Sequence, residues 1–178
     1  MNTNNADINI SLLKHDQKNI LLLAATLLLG LAILLTIKPV SASGDVHLGL
    51  ISKSQLLDNH EDFAENYSGY QTSDEELAAV AALPDDLIIK VFFGTWCHDS
   101  EREVPRLLQS FKKSPVSIEL YALDTNKSDP DGLATANNIK YTPTIIVYQH
   151  DQEVTRIIER PENSLSEDIL SAWLQNKQ

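Results

Sequence analysis

The chain has 178 residues, enough for one ordinary domain with additional segments. Its net charge at pH 7 is −11, and since residues 1–43 carry three lysines against two aspartates (+1), the remaining residues sum to −12. An acidic balance of this size argues against binding nucleic acid through phosphate contacts. The sequence has one cysteine, Cys97, which excludes an intramolecular disulfide and a zinc site built from several thiolates.

The first predicted element is an uncharged apolar segment at residues 20–37. Its 18 residues reach the lower limit for a membrane-spanning helix and exceed the usual core of a cleaved signal peptide, about 7–15 residues. Lys14 and Lys18 precede the segment and Lys38 follows it. The positive-inside rule therefore places the N-terminus in the cytoplasm and the rest of the chain outside it, although Lys38 opposes this orientation.

Two interpretations of this segment stay open. It is either an uncleaved transmembrane anchor or a signal peptide that is cleaved after the small residues at 40–42, so that the mature chain starts at Ser43. The predicted organisation is a cytoplasmic tail at residues 1–19, an anchor or signal segment at 20–37, a linker at 38–45 and a globular domain at 46–178.

The globular part shows strands alternating with helices, which predicts an α/β domain with parallel pairing, and its close final pair of strands predicts a hairpin. Ser73 with Glu76 forms the sequence pattern of a capping box at a helix start. The predicted elements in chain order are a helix at 52–67, a helix at 73–83, a strand at 87–93, a helix from 99 or 100 to 113, a strand at 116–123, a short helix at 132–138, strands at 144–148 and 153–158, and a helix at 164–177.

Cys97 stands where a predicted buried strand meets a predicted helix start. The first turn of a helix offers unpaired N–H groups and a partial positive charge, and both favour the reactive thiolate. A protonated His98 adds to this effect, Asp99 opposes it, and Ser100 is placed to donate a hydrogen bond to the sulfur. The alternative is a buried and inert cysteine, but Trp96, His98, Asp99 and Ser100 are not the neighbours of a core residue.

These residues resemble the active site of the thioredoxin family. The run FFGTWCHDS at 92–100 is similar to the family's strand, loop and helix, and Pro105 stands eight residues after Cys97, where the family has a helix-kinking proline. The run IKYTPT at 139–144 resembles the family's cis-proline segment. The resemblance covers about residues 87–173, and more loosely the chain from residue 45. Within the family, the sequence most resembles a little-characterised bacterial branch with a WCxDS motif.

The resemblance implies a thioredoxin-like three-layer sandwich with a central mixed β-sheet, here preceded by the N-terminal transmembrane or signal helix. It also implies two groups of site residues. The catalytic candidates are Cys97, Ser100 and His98, and the substrate-binding candidates are Trp96, Asp99, Thr142 and Pro143. In a bacterial cell, the predicted location is the inner membrane, with a single pass and the C-terminal domain in the periplasm, or the exported compartment after signal cleavage.

The departures from the family's motif limit the predicted chemistry. Ser100 replaces the resolving cysteine, Val91 replaces a buried aspartate, and His98 with Asp99 replaces Gly-Pro. A general disulfide reductase needs a second thiol to release its mixed disulfide, so this chain is not able to complete that reaction alone. We therefore expect an exported, anchored protein that exchanges thiols and disulfides through Cys97 alone.

The expected partners are protein or low-molecular-weight thiols and disulfides, with glutathione among them, and the membrane through the N-terminal segment. No cofactor and no metal is expected, and no nucleic acid. One alternative is a redox-inactive module of the same fold that binds peptides or a membrane partner in the groove beside Thr142 and Pro143. Another is a glutathione-linked or metal-handling monothiol protein, which Ser100 alone supports.

Overall fold

The computed structural model describes residues 47–177. The predicted tail at 1–19, anchor or signal segment at 20–37 and linker at 38–45 lie outside the described residues. Within residues 47–177, no helix is both long enough and apolar enough to cross a membrane.

The described part of the chain folds into a mixed five-stranded sheet with helices on its two faces. The strands are β1 (Gly49–Ile51), β2 (Leu87–Phe93), β3 (Ser117–Ala122), β4 (Thr144–Gln149) and β5 (Gln152–Ile158). The helices are α1 (Lys53–Asn59), α2 (Glu61–Gly69), α3 (Asp74–Ala82), α4 (His98–Ser110), α5 (Leu133–Ala136) and α6 (Leu165–Gln175).

The order of strands across the sheet is β1-β3-β2-β4-β5. Strands β2 and β3 are parallel, as predicted, and β4 forms the predicted antiparallel hairpin with β5. The edge strand β1 was not predicted, because its three residues are too few to show a hydrophobic period; it pairs antiparallel with β3.

The parallel pairing predicted for β4 is wrong, since β4 runs antiparallel to β2 with Thr144 opposite Phe92. A crossover between parallel strands usually contains an α-helix of several turns, whereas the connection from β3 to β4 (residues 123–143) contains only the four-residue helix α5. Strand β4 starts at the end of the sheet where β2 ends.

The single helix predicted at 52–67 is two helices that meet at His60. His60 has an extended backbone (φ −130°, ψ 101°) and is both the C-cap residue of α1 and the N-cap residue of α2. Glu61 and Asp62 in the first turn of α2 favour a new helix start because they interact with its partial positive charge. The capping box predicted at Ser73 is confirmed at the start of α3.

The core has two parts, one on each face of the sheet. The larger part packs α1, α2, α4 and α6 against side chains of β2, among them Ile89, Val91 and Phe93, all fully buried. The smaller part packs α5 against Phe92 and Ile146 on the opposite face. This arrangement confirms the predicted three-layer sandwich with a central mixed sheet.

Candidate functional site

Cys97 is the N-cap residue of α4 and directly follows the turn after β2. Its backbone is extended (φ −102°, ψ 118°), its N–H donates to the Gly94 carbonyl, and its own carbonyl accepts the first hydrogen bond of the helix from Glu101. The residue is half-buried, and its Sγ donates to the carbonyl oxygen of Thr142 at 3.1 Å. The thiol therefore lies at a helix N-terminus and in contact with the proline turn.

The proline turn consists of Tyr141, Thr142 and Pro143 and leads directly into β4. The Thr142–Pro143 peptide bond is cis, and Thr142 is 3% exposed. Thr144 Oγ1 donates to the Tyr141 carbonyl at 2.7 Å. These features fix the carbonyl of Thr142 beside Cys97, so the structure brings together two candidates that are 45 residues apart in sequence.

Ser100 is fully buried in the first turns of α4. Its Oγ accepts a hydrogen bond from the backbone N–H of Gly94 at 3.3 Å. The hydrogen bond to the sulfur that the sequence suggested is not formed, since Cys97 Sγ pairs with Thr142 instead. Ser100 holds the turn before Cys97 and does not contact the thiol by a hydrogen bond.

His98 lies on the outer side of the same helix turn. Its side chain is 88% exposed, and its Nδ1 is 3.3 Å from Glu101 Oε2. The imidazole thus pairs with a carboxylate on the next turn of α4 rather than with the thiol.

Two exposed aromatic side chains belong to the residues that directly precede Cys97 and Thr142. Trp96 is 42% exposed and directly precedes Cys97, while Tyr141 is 51% exposed and directly precedes Thr142. Trp96 Nε1 donates to the Leu123 carbonyl at 3.1 Å, and Lys127 Nζ lies 5.7 Å from the centre of a Trp96 ring.

Gly94 is required at its position by the indole of Trp96. A Cβ on Gly94 would lie 2.5 Å from Trp96 Cε2, closer than atoms of two side chains approach. The absence of a side chain at Gly94 therefore lets the Trp96 ring fold back over the turn that carries Cys97.

Asp99 forms an ion-pair network that links α4 to the segment after β5. Its Oδ1 accepts from Arg102 Nη1 at 2.7 Å and from Arg160 Nη2 at 3.1 Å. Burial raises the pKa of Asp99, but the hydrogen bonds and charges of both guanidinium groups outweigh it and hold the pKa below its usual value. The carboxylate proposed to contact substrate is thus engaged by two arginines of its own chain.

Sequence reasoning missed both arginines. Arg102 could have been found from its position three residues after Asp99 on a helix, where opposite charges meet. Arg160 is 61 residues away from Asp99, and no local pattern connects them.

A buried carboxylate, Glu103, also escaped the sequence prediction. It is 3% exposed, and its Oε1 accepts from Arg102 Nε at 2.6 Å and Arg106 Nη1 at 3.4 Å. Arg102 contacts both carboxylates. Its charge is therefore shared between Asp99, two residues after the thiol, and the buried Glu103. The same helix is therefore stabilised by a continuous chain of charged contacts.

The position that carries a buried aspartate in thioredoxins is Val91, which is fully buried on β2. An apolar side chain here neither accepts nor donates a proton. Elsewhere within residues 47–177, no three or more His, Cys, Asp or Glu side chains cluster closely enough to hold a metal ion.

The comparisons with known proteins bear on this geometry. A protein-family model described as Thioredoxin matches residues 51–170, more than half of the chain. The chain belongs to the thioredoxin family. Thioredoxin-2 of Saccharomyces cerevisiae is 26% identical to this thioredoxin-family chain over 99 residues, which are 56% of this chain and 92% of the yeast protein.

Solved structures give likenesses at lower identity. A protein of unknown function from Pseudomonas aeruginosa has a TM-score of 0.46 at 16% identity, with 72% of this chain and 99% of that chain covered. A thioredoxin from Fasciola hepatica has a TM-score of 0.38 at 20% identity, with 53% and 83% covered. Membership of the thioredoxin family rests on the family model and not on these likenesses.

Proposed function

We propose that this thioredoxin-like chain carries out thiol–disulfide exchange with Cys97 as its single nucleophile. The observation that carries the proposal is the position of Cys97 Sγ, which is half-buried at the N-terminus of α4 and 3.1 Å from the carbonyl of Thr142. The unpaired N–H groups and partial positive charge of the first helix turn favour a thiolate at this position, against the hydrogen bond to Thr142, which stabilises the neutral thiol. A thiolate is the form of cysteine that attacks disulfides.

The first half of the reaction forms a mixed disulfide. The Cys97 thiolate attacks one sulfur of a substrate disulfide, the Cys97–substrate S–S bond forms, and the original S–S bond breaks. The second substrate sulfur leaves as a thiolate and takes a proton from water. One substrate sulfur is thereby reduced while Cys97 is oxidised.

The second half of the reaction needs a thiol from outside the chain, because the sequence has no second cysteine. The thiolate of another protein or of glutathione attacks the substrate sulfur of the mixed disulfide, forms a new disulfide with it and releases the Cys97 thiolate. Ser100, at the position of the resolving cysteine, is bonded to Gly94 and takes no part in this step. The mixed disulfide is therefore long-lived until such a thiol arrives.

The surface around Cys97 supports an extended peptide as the substrate. Trp96, next to Cys97 in sequence, and Tyr141, next to Thr142, are both about half exposed and offer apolar contact area to a polypeptide. The proline turn beside the sulfur is the part of the site that resembles the family's segment for backbone pairing with the substrate. Protein disulfides are thus the proposed substrates, with glutathione as a small alternative.

The proposed location of this reaction is outside the cytoplasm. The supporting feature is the uncharged segment at residues 20–37 with Lys14 and Lys18 before it. The domain is then held at the outer face of the inner membrane by an uncleaved anchor, or is released after signal cleavage. In either form an external thiol must return Cys97 to its reduced state.

A second candidate function is a binding module without redox activity. Two observations favour it, namely the apolar Val91 at the family's proton-transfer position and the absence of a hydrogen bond between Ser100 and the thiol. In this alternative the surface of Trp96, Tyr141 and Thr142 holds a peptide, and Cys97 is dispensable.

The reactivity of Cys97 tests the proposal. We expect iodoacetamide at about pH 6 to alkylate the folded full-length chain roughly tenfold faster than the urea-unfolded chain, because the helix N-terminus favours the thiolate. Oxidised glutathione should add one glutathione per chain, measured by intact mass spectrometry, and the adduct should persist until a thiol is added.

The matched control is Cys97→Ala, which should form no adduct. Alkylation of the folded chain at the rate of the unfolded chain or slower would contradict the exchange activity. Partner capture that is unchanged in Cys97→Ala would favour the binding module instead.

A further inference from the structure

The two residues that follow β5 connect the proline turn with the first turn of α4, each by contacting one of them. The N–H of Glu159 donates to the carbonyl of Pro143 at 2.8 Å. The guanidinium of Arg160 donates to Asp99 Oδ1 from Nη2 at 3.1 Å and from Nε at 3.3 Å. One short segment is thereby hydrogen-bonded to the proline turn and to the first turn of α4.

These two turns are the ones that the thiol contact joins. Cys97 stands two residues before Asp99, and Thr142 stands directly before Pro143. Glu159 has a left-handed backbone (φ 62°), a conformation that is uncommon in a residue other than glycine and that persists where surrounding contacts require it. The segment at 159–160 is therefore bonded to both of the turns that form the contact between Cys97 Sγ and the Thr142 carbonyl.

Arg160 also affects the thiol through its charge, by way of Asp99. A carboxylate two residues from a thiolate disfavours that thiolate by repulsion, so the charge of Asp99 has to be offset. Arg102 offsets it in part, but Arg102 is also paired with the buried Glu103. Arg160, whose side chain is 68% exposed, supplies the second positive charge on Asp99.

We propose that Arg160 is a positioning residue for Cys97, which acts through Asp99 by holding and offsetting the carboxylate that stands two residues after the thiol. This proposal rests on the exchange activity proposed above. The other titratable or charged groups on the site residues and their contacts are His98 and Glu101 on α4, Arg102 on Asp99, Lys127 over Trp96, and Glu159 next to Arg160 in sequence.

The test compares Arg160→Gln with the wild-type full-length chain. Alkylation rates with neutral iodoacetamide are measured against pH at low salt, together with exchange rates with the neutral bis(2-hydroxyethyl) disulfide at pH 7. We expect the pH midpoint of alkylation to rise by about 0.3–0.7 pH units and the exchange rate to fall about two- to fivefold, the effect of one partly exposed charge. High salt should reduce the difference, because it screens an exposed charge.

Two further variants separate this role from a general effect of losing an arginine. Arg160→Lys keeps the charge and should return the midpoint at least halfway to the wild-type value. Arg156→Gln removes an arginine on β5 that pairs with Glu153, and it should leave the midpoint unchanged. Thermal unfolding followed by circular dichroism checks that each variant is folded.

A double-mutant cycle with Asp99→Asn tests whether Arg160 acts through Asp99. We expect Arg160→Gln to shift the midpoint in the Asp99→Asn background by less than half of its shift in wild type. Equal shifts in both backgrounds, no shift in Arg160→Gln, no recovery in Arg160→Lys, or an equal shift in Arg156→Gln would each overturn the proposal. If wild-type Cys97 is activated and Arg160→Gln behaves like wild type, this inference alone fails, whereas an unreactive wild-type Cys97 contradicts the exchange activity itself.

Discussion

The Ser100 side chain shows how a single residue can change the chemistry of a site while it keeps the fold. Its hydroxyl is fully buried and accepts the N–H of Gly94 at 3.3 Å, which is a structural contact in the turn before Cys97. A thiol at this position would lie three residues along a helix start from Cys97, the spacing of the CxxC redox motif. The serine therefore stabilises the turn, but it provides no thiol that could resolve a mixed disulfide at Cys97.

Ser100→Cys should give the chain a resolving thiol. We expect oxidation to form a disulfide between Cys97 and the introduced thiol, so that the adduct with oxidised glutathione no longer accumulates. Intact mass spectrometry measures both species, since the disulfide lowers the mass by two hydrogens and the adduct raises it. Persistence of the adduct in Ser100→Cys would show that the turn does not bring the two sulfurs together.

Ser100→Ala is the control for this substitution, because it removes the hydroxyl without adding a thiol. It should keep the adduct and lower the free energy of unfolding by about 1–3 kcal/mol, since the buried N–H of Gly94 loses its hydrogen-bond acceptor. Urea unfolding measures that loss.

Between the elements, a buried carboxylate joins three helices. Glu76 Oε2 accepts the N–H of Ser73 in the capping box of α3, while its Oε1 accepts the hydroxyls of Tyr70, after α2, and Ser110, at the end of α4. Burial and the hydrogen bond to Glu76 raise the pKa of Tyr70 from 10.0 to about 12. A residue predicted as a helix cap therefore also holds α2, α3 and α4 together.

The raised pKa of Tyr70 predicts a loss of stability at alkaline pH. Because the folded pKa lies above the unfolded one, protonated Tyr70 contributes its full stability below pH 10 and loses it as the pH rises from 10 to about 12. Burial and Glu119 likewise raise the pKa of Tyr121 to about 12, so the wild-type decline has two sources. We expect Tyr70→Phe to show a smaller fall in the free energy of unfolding over this range, measured by urea titration at several pH values.

Tyr141→Phe is the matched control, since this tyrosine is 51% exposed. It should keep the wild-type dependence on pH. A decline in Tyr70→Phe as steep as that of wild type would contradict the role assigned to the Tyr70–Glu76 hydrogen bond.

For the molecule as a whole, the proposed location outside the cytoplasm depends on the N-terminal segment. Residues 20–37 carry no charge, whereas the residues from 44 onward sum to −12. Under the anchor proposal, N-terminal sequencing of the native protein should give the start of the chain, and the protein should sediment with membranes. A sequence that starts at Ser43 would instead establish a cleaved signal. The reference is a variant with charged residues inserted into 20–37, which should neither sediment with membranes nor be cleaved before Ser43.

The amino-acid sequence by itself determined the local features of this protein. Strand β2 was predicted with its observed bounds, because a run of apolar β-formers needs no distant partner to be recognised. The capping box of α3 and the placement of Cys97 at a helix start were likewise readable, since both depend on neighbours within a few residues. The prolines at 105 and 143 gave the resemblance to the thioredoxin family through their spacing from Cys97.

Tertiary structure decided every feature that depends on residues far apart in the chain. Strand β4 runs antiparallel to β2, and this direction places Thr142 beside Cys97 at the end of the sheet where β2 ends. The partner of Asp99 across the site, Arg160, and the true acceptor of the thiol hydrogen are likewise set by packing. Such contacts carry no sequence period, because the two sides meet only after the sheet and its helices have assembled.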